Sequence, residues 1–190
     1  ITLDAANDFG GPVSIVRADD VTLNDINAID LGVSTISGNL ALTAAGDITD
    51  SGALNVAGTT TLAAGSGNDI LLNAANQFGG AVSVTSADDV TLNETGAINL
   101  GASTILGNLA VTANGAITDS GALGITGTTA LAAGSANAIT LDAANDFGGA
   151  VSITTGRDVT LNDTGAIDVG ASTISGNLSV TAAGGITDSG

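Results

Sequence analysis

Hydrophobic and polar residues alternate along the chain with a period of two. Val-Ser-Ile at 13–15, Val-Thr-Leu at 21–23, Leu-Ala-Leu-Thr at 40–43 and Ile-Thr-Leu at 1–3 each place apolar side chains on one face and small polar ones on the other. The runs are short, and Gly, Asn, Asp and Ser separate them, which predicts many brief β-strands joined by tight turns. No stretch carries the 3.6-residue periodicity of an amphipathic helix.

The pattern recurs. Ile1-Thr2-Leu3-Asp4-Ala5-Ala6-Asn7-Asp8-Phe9-Gly10-Gly11 returns from Ile70 and again from Ile139, which sets a constant 69-residue period. The three phenylalanines, Phe9, Phe78 and Phe147, fill one slot of this period. Residues 1–52 and 139–190 agree at 40 of 52 positions, so the period governs the whole chain rather than a single motif. Within it, an apolar pair is followed eight positions later by Ile or Val: Val13 to Val21, Leu40 to Ile48, Leu62 to Ile70. Starts at Val13, Leu40 and Leu62, with the next period opening at Val82, divide each period into three similar units, the first of them long.

Units of this length, each too small to bury its own apolar face, describe the coils of a solenoid. The expected fold is all-β: a right-handed parallel β-helix (β-solenoid) of about eight coils, with three coils to the 69-residue period. It forms one continuous array over residues 1–190, with repeats 1–69, 70–138 and a partial 139–190. The chain opens on Ile1 without Met and closes part-way through a period, which reads as a piece of a longer array. Bare ends predict head-to-tail self-association and stacking on neighbouring repeats.

Stacked coils align their side chains in columns. One outward column is expected to hold Thr2, Thr22, Thr49, Thr91, Thr118, Thr140, Thr160 and Thr187, interrupted by Leu71. Two positions further lies an Asx/Ser turn column: Asp4, Asn24, Ser51, Asn73, Asn93, Ser120, Asp142, Asn162 and Ser189. Asx and Ser side chains bond local backbone and shape turns. The Thr column is also what an ice-binding face would use, and the Asx column offers oxygen ligands to calcium. Yet the calcium-binding Gly-Gly-x-Gly-x-Asp nonapeptide does not occur, and the acidic pairs Asp19-Asp20 and Asp88-Asp89 become Arg157-Asp158 in the third period. Turn formation and β-propensity account for both columns without a ligand.

Composition narrows the chemistry. The chain has no Cys, His, Lys, Trp, Tyr or Met, and only two cations, Arg17 and Arg157. Disulfides, Cys or His catalysis and zinc sites of the usual ligands lack their residues. A formal charge of −17 repels nucleic acid, and no apolar run is long enough to insert in a membrane. A glycan-active β-helix enzyme would need paired carboxylates in a groove and aromatic faces for sugar, so catalytic and cofactor-binding residues are expected to be none. Asn93-Glu94-Thr95, Asn162-Asp163-Thr164 and Asn177-Leu178-Ser179 match the N-glycosylation pattern, a weak signal in so Asn- and Thr-rich a chain.

Ser37-Gly38-Asn39-Leu40, Gly46-Asp47-Ile48-Thr49-Asp50-Ser51-Gly52, Gly58-Thr59-Thr60-Thr61-Leu62 and Ile1-Thr2-Leu3-Asp4 resemble the repeats of very large bacterial exoproteins of the filamentous haemagglutinin type. The resemblance spans the chain and is one of structural motifs. It implies a long right-handed β-helix at the cell surface, exported by two-partner secretion through an outer-membrane barrel. The expected role is then a non-catalytic stalk or filament segment of a secreted adhesin. The alternatives are a ligand-binding face for ice or calcium and, further off, a glycan-active enzyme.

Overall fold

The computed structural model describes all of residues 1–190 as a β-solenoid of parallel strands without a helix. One face stacks, in order, Thr2–Asn7, Val21–Asp25, Leu40–Ala44, Thr60–Ala63, Val82–Ser86, Ile98–Leu100, Ile117–Asp119, Ile139–Phe147, Val159–Asp163 and Leu178–Ala182. The opposite face stacks Ile29–Leu31, Ile48–Asp50, Ile70–Phe78, Val90–Glu94, Leu109–Ala113, Thr129–Ala132, Val151–Thr155, Ile167–Val169 and Ile186–Asp188. Short strands make two further narrow sheets, Ser34–Ile36 with Leu54–Val56 where the chain returns from the second face to the first, and Ser103–Ile105 with Leu123–Ile125 where it passes from the first to the second. The strands of the first face amount to about nine turns, or roughly 43 Å at ~4.8 Å per strand.

The alternation places the core where the sequence puts it. Val21, Leu23, Leu40, Leu42, Ile70, Leu72, Val90 and Leu92 point inward, each at most 2% exposed. All 41 buried hydrophobic residues belong to one cluster running the length of the stack. Phe78 and Phe147 are buried in it, and Phe9 packs against it from the first coil. Successive levels meet inward residue to inward residue, as in Val21 on Leu40 on Thr60.

The division of the period differs from three coils. Whole coils run from Val21 to Leu40, from Leu40 to Thr60 and from Thr60 to Val82, each returning the chain to the first face. The chain then crosses from Val82 on the first face to Val90 on the second without returning. That segment is a half coil, so one period makes three and a half turns. The long unit of the sequence, Val13 to Leu40, is such a half coil, Val13 to Val21, fused to one whole coil. The step from Leu40 to Ile48 has the same length as that from Val82 to Val90 and is also a crossing between faces, which hid the extra one.

The consequence is an inversion. Ile70–Phe78 lies on the second face, although its equivalents Thr2–Asn7 and Ile139–Phe147 lie on the first. Val21–Asp25, Val90–Glu94 and Val159–Asp163 alternate in the same way. The half coil itself is held by serine: Val84 N–H donates to Ser103 Oγ at 3.0 Å, and Ile15 and Ile153 do the same to Ser34 and Ser172. Each serine hydroxyl then donates to a glycine carbonyl two positions back.

Candidate functional site

The predicted Thr column divides between two faces because of the half coil. Thr2 and Thr22 adjoin on the first face, followed by Ala41, Thr61 and Ser83. Thr118, Thr140 and Thr160 adjoin further along the same face, flanked by Asn99 and Ser179. On the second face Leu71 stands between Thr49 and Thr91, which Ala110 and Ala130 follow, while Thr187 lies beside Asp168. A single rank of all the predicted threonines therefore does not form. The longest run of them is Thr118, Thr140 and Thr160.

The Asx/Ser column divides likewise, into neighbouring pairs and isolated serines. Asn24 donates its amide to Asp4 O at 3.3 Å, Asn93 to Asn73 O at 3.1 Å and Asn162 to Asp142 O at 3.3 Å. Ser51, Ser120 and Ser189 each follow a strand and donate backbone N–H to Leu31, Leu100 and Val169. These residues bond local backbone, as turn and strand-end residues do. No three acidic side chains come together as a metal-binding group. The amides of Asn93, Asn162 and Asn177 all donate hydrogen bonds, and Glu94 and Asp163, the middle residues of two glycosylation matches, are buried.

Where Asp, Asn or Thr directly precedes a strand, these residues make a ladder that the sequence pattern did not reveal. Asp47 Oδ1 accepts Asp69 N–H at 2.9 Å, and Asp69 Oδ1 accepts Asp89 N–H at 3.1 Å. Asp89 Oδ1 accepts from Asn108, whose own Oδ1 accepts Thr128 N–H at 2.9 Å. Asp20, Asn39 and Thr59 repeat this on the other side of the rod. Each rung caps a backbone donor one coil along. Asp158 belongs to the same series: the backbone N–H of Asn177, then Arg157, hold its exposed carboxyl below the usual carboxylate range.

The most concentrated polar chemistry lies inside the wall. Asp25, Glu94 and Asp163 are at most 2% exposed, as are Asn76 and Asn145. Glu94 accepts Phe78 N–H and Gly96 N–H, both at 2.8 Å. Asp25 and Asp163 accept from Phe9 and Phe147 at 3.0 Å. Asn76 Oδ1 accepts Leu54 N–H at 2.8 Å, and its amide donates to Asp50 Oδ2 at 2.7 Å. Asp50 also accepts from Asn73 and Ala74, the extra residues of a bulge where Leu72 to Asn76 faces Leu92 to Glu94. Asn145, Leu123 and Asp119 repeat the arrangement. Backbone donors meet these carboxylates and amides, which makes them structural partners of the fold. Their parity was the available signal: Asp25 shares the inward phase of Val21 and Leu23.

No curated protein and no solved structure matches the chain. A family of repeats does match, over residues 18–85, 87–154 and 156–190, each match opening one period after the last. With most of its length so covered, the chain belongs to the family described as repeats of unknown function (DUF5649).

Proposed function

We propose that this array is a non-catalytic stalk or filament segment of a secreted bacterial adhesin of the filamentous haemagglutinin kind, standing at the cell surface. The observation that carries the reading is the unbroken core: every coil rests its apolar face on the next, so adding repeats lengthens the rod without altering its section. Each period adds about 17 Å at ~4.8 Å per coil. The charge of −17 keeps neighbouring rods apart, and scarce Lys and Arg leave few trypsin sites. The segment's partners are then neighbouring repeats, further copies stacked head to tail, and an outer-membrane secretion partner.

Immunogold electron microscopy of producing cells with antibody to the repeat tests this. Label along thin surface fibres is the expected result. Label confined to the cytoplasm, or diffuse secreted protein without fibres, overturns it. The adjacency of Thr118, Thr140 and Thr160 favours one second reading, an ice-binding face. Inhibition of ice recrystallisation, lost on replacing these three by Val, would support it.

A further inference from the structure

We propose that the buried knot of Asn76, Phe78 and Glu94, with its counterparts Asn7–Phe9–Asp25 and Asn145–Phe147–Asp163, is a register lock that stops near-identical coils from stacking one level out of place. The inference stands on packing alone and is independent of the stalk reading.

The apolar strand pairing does not by itself distinguish neighbouring levels. On the second face Ile70 and Leu72 rest against Val90 and Leu92, and these in turn against Leu109 and Val111. If residues 90–108 looped out and Leu109–Ala113 moved down one level, Ile70 would meet Leu109 and Leu72 would meet Val111. At the new seam aliphatic contacts would replace aliphatic contacts, while the looped-out coil would give up the burial of Val90, Leu92, Ile98, Leu100 and Ile105. Such slippage is a known hazard of repetitive strands whose pairing is weakly specified.

The polar column does distinguish them. Its members along the second face are Asn76, Glu94 and Ala113, and along the first Asn7, Asp25 and Ala44, then Asn145, Asp163 and Ala182. A carboxylate thus occurs at one level only, directly above the asparagine. In the slipped stack Ala113 would lie over Asn76. The buried Phe78 N–H would lose Glu94 as its acceptor. The carbonyl of Asn76 would lose the hydroxyl of Thr95, at 2.8 Å, while the backbone N–H of Asn114, which natively serves the Glu94 carbonyl, would replace that of Thr95. Leaving buried polar groups unpaired opposes the slip, whereas the native register satisfies them. Buried polar residues that fix register at some cost in stability are known from coiled coils.

The chain has no cysteine, so engineered pairs report register directly. Thr91→Cys with Ala110→Cys links neighbours in the native stack, where the two are strand partners. Leu71→Cys with Ala110→Cys links only the slipped stack, because Thr91 lies between them natively. Each pair is refolded from urea, oxidised and mapped by mass spectrometry. Without further change the native link is expected almost alone. Adding Glu94→Ala should raise the off-register link about tenfold or more, while Glu94→Asp, the residue type at Asp25 and Asp163, should not. Leu131→Ala, a core deletion elsewhere, should destabilise without raising it. Should Glu94→Ala fail to fold, Glu94→Gln is scored in its place, with a smaller rise expected. An off-register link that stays at background in the scored variant, or that Leu131→Ala raises equally, would overturn the lock.

Discussion

Asn76 donates its side-chain amide to Asp50 at 2.7 Å, joining two residues 26 positions apart across the wall of the solenoid. The same asparagine accepts Leu54 N–H, so one buried side chain ties the bulged strand to the coil beneath it. Asn76→Ala removes both bonds and strands a buried donor. A loss of about 2–4 kcal/mol is expected, more than an exposed polar truncation gives. Urea denaturation should show the midpoint falling, and Asn145→Ala should behave alike. An unchanged midpoint in either would contradict the assigned role.

Thr60 and Thr129 offer the opposite test. Both are at most 1% exposed, stand in the inward column and have hydroxyls without partners. Thr60 lies between Leu40 and Val82. Valine has the same shape without the polar atom. Thr60→Val and Thr129→Val should each stabilise by about 1 kcal/mol and add nearly independently, since the sites lie on opposite faces. Calorimetry reads this as a raised Tm. A lowered one would mean that the hydroxyls are bonded.

Glycine sets how closely coils approach at one corner. A Cβ on Gly58 would lie 2.5 Å from the carbonyl oxygen of Gly38, and one on Gly80 equally close to that of Gly58. Gly58→Ala should therefore cost about 2 kcal/mol or more by forcing the stack apart. Gly67, with open space where its Cβ would go, is the control. Gly67→Ala should be neutral or stabilise by up to about 1 kcal/mol. Equal effects of the two in a denaturant titration would contradict the close stacking.

Asp158 gives a pH prediction. Its carboxyl is held below the usual carboxylate range, first by Asn177 N–H and next by Arg157. A depressed native value means that its contribution is present above the unfolded carboxylate range and is lost as pH falls through the lowered value. The group is exposed, so the effect on stability is small. NMR titration of the Asp158 carboxyl carbon should give a low midpoint that Arg157→Ala raises only in part, because the backbone donor remains. Full return to the ordinary value would assign the shift to Arg157 instead.

Much of this architecture is legible in the sequence. Period-two alternation fixes the strands at Val21–Asp25 or Leu40–Ala44, and the near-identity of successive periods requires stacking. The Phe slot is inward as its aromatic character demands. The half coil is not legible, because Val82 to Val90 has the same spacing as Leu40 to Ile48. One is a crossing with no return before the next long strand; the other begins a whole turn. Local spacing encodes the crossing, and only long-range pairing encodes which face receives it. The buried carboxylates were obscured by the ordinary preference of Asp and Glu for solvent. Tertiary backbone donors overcome that preference at Asp25, Glu94 and Asp163.

Nitroxide labels read the inversion of the repeat at each half coil. Thr22 adjoins Ala41 on one face, whereas Thr49 lies on the other. Electron paramagnetic resonance of the Thr22→Cys/Ala41→Cys pair should show strong dipolar broadening at a separation near ~5 Å between backbones. The Thr22→Cys/Thr49→Cys pair, held apart by the core, should show little. Strong broadening in the second pair and its loss in the first would restore a repeat of three whole coils and contradict the structure.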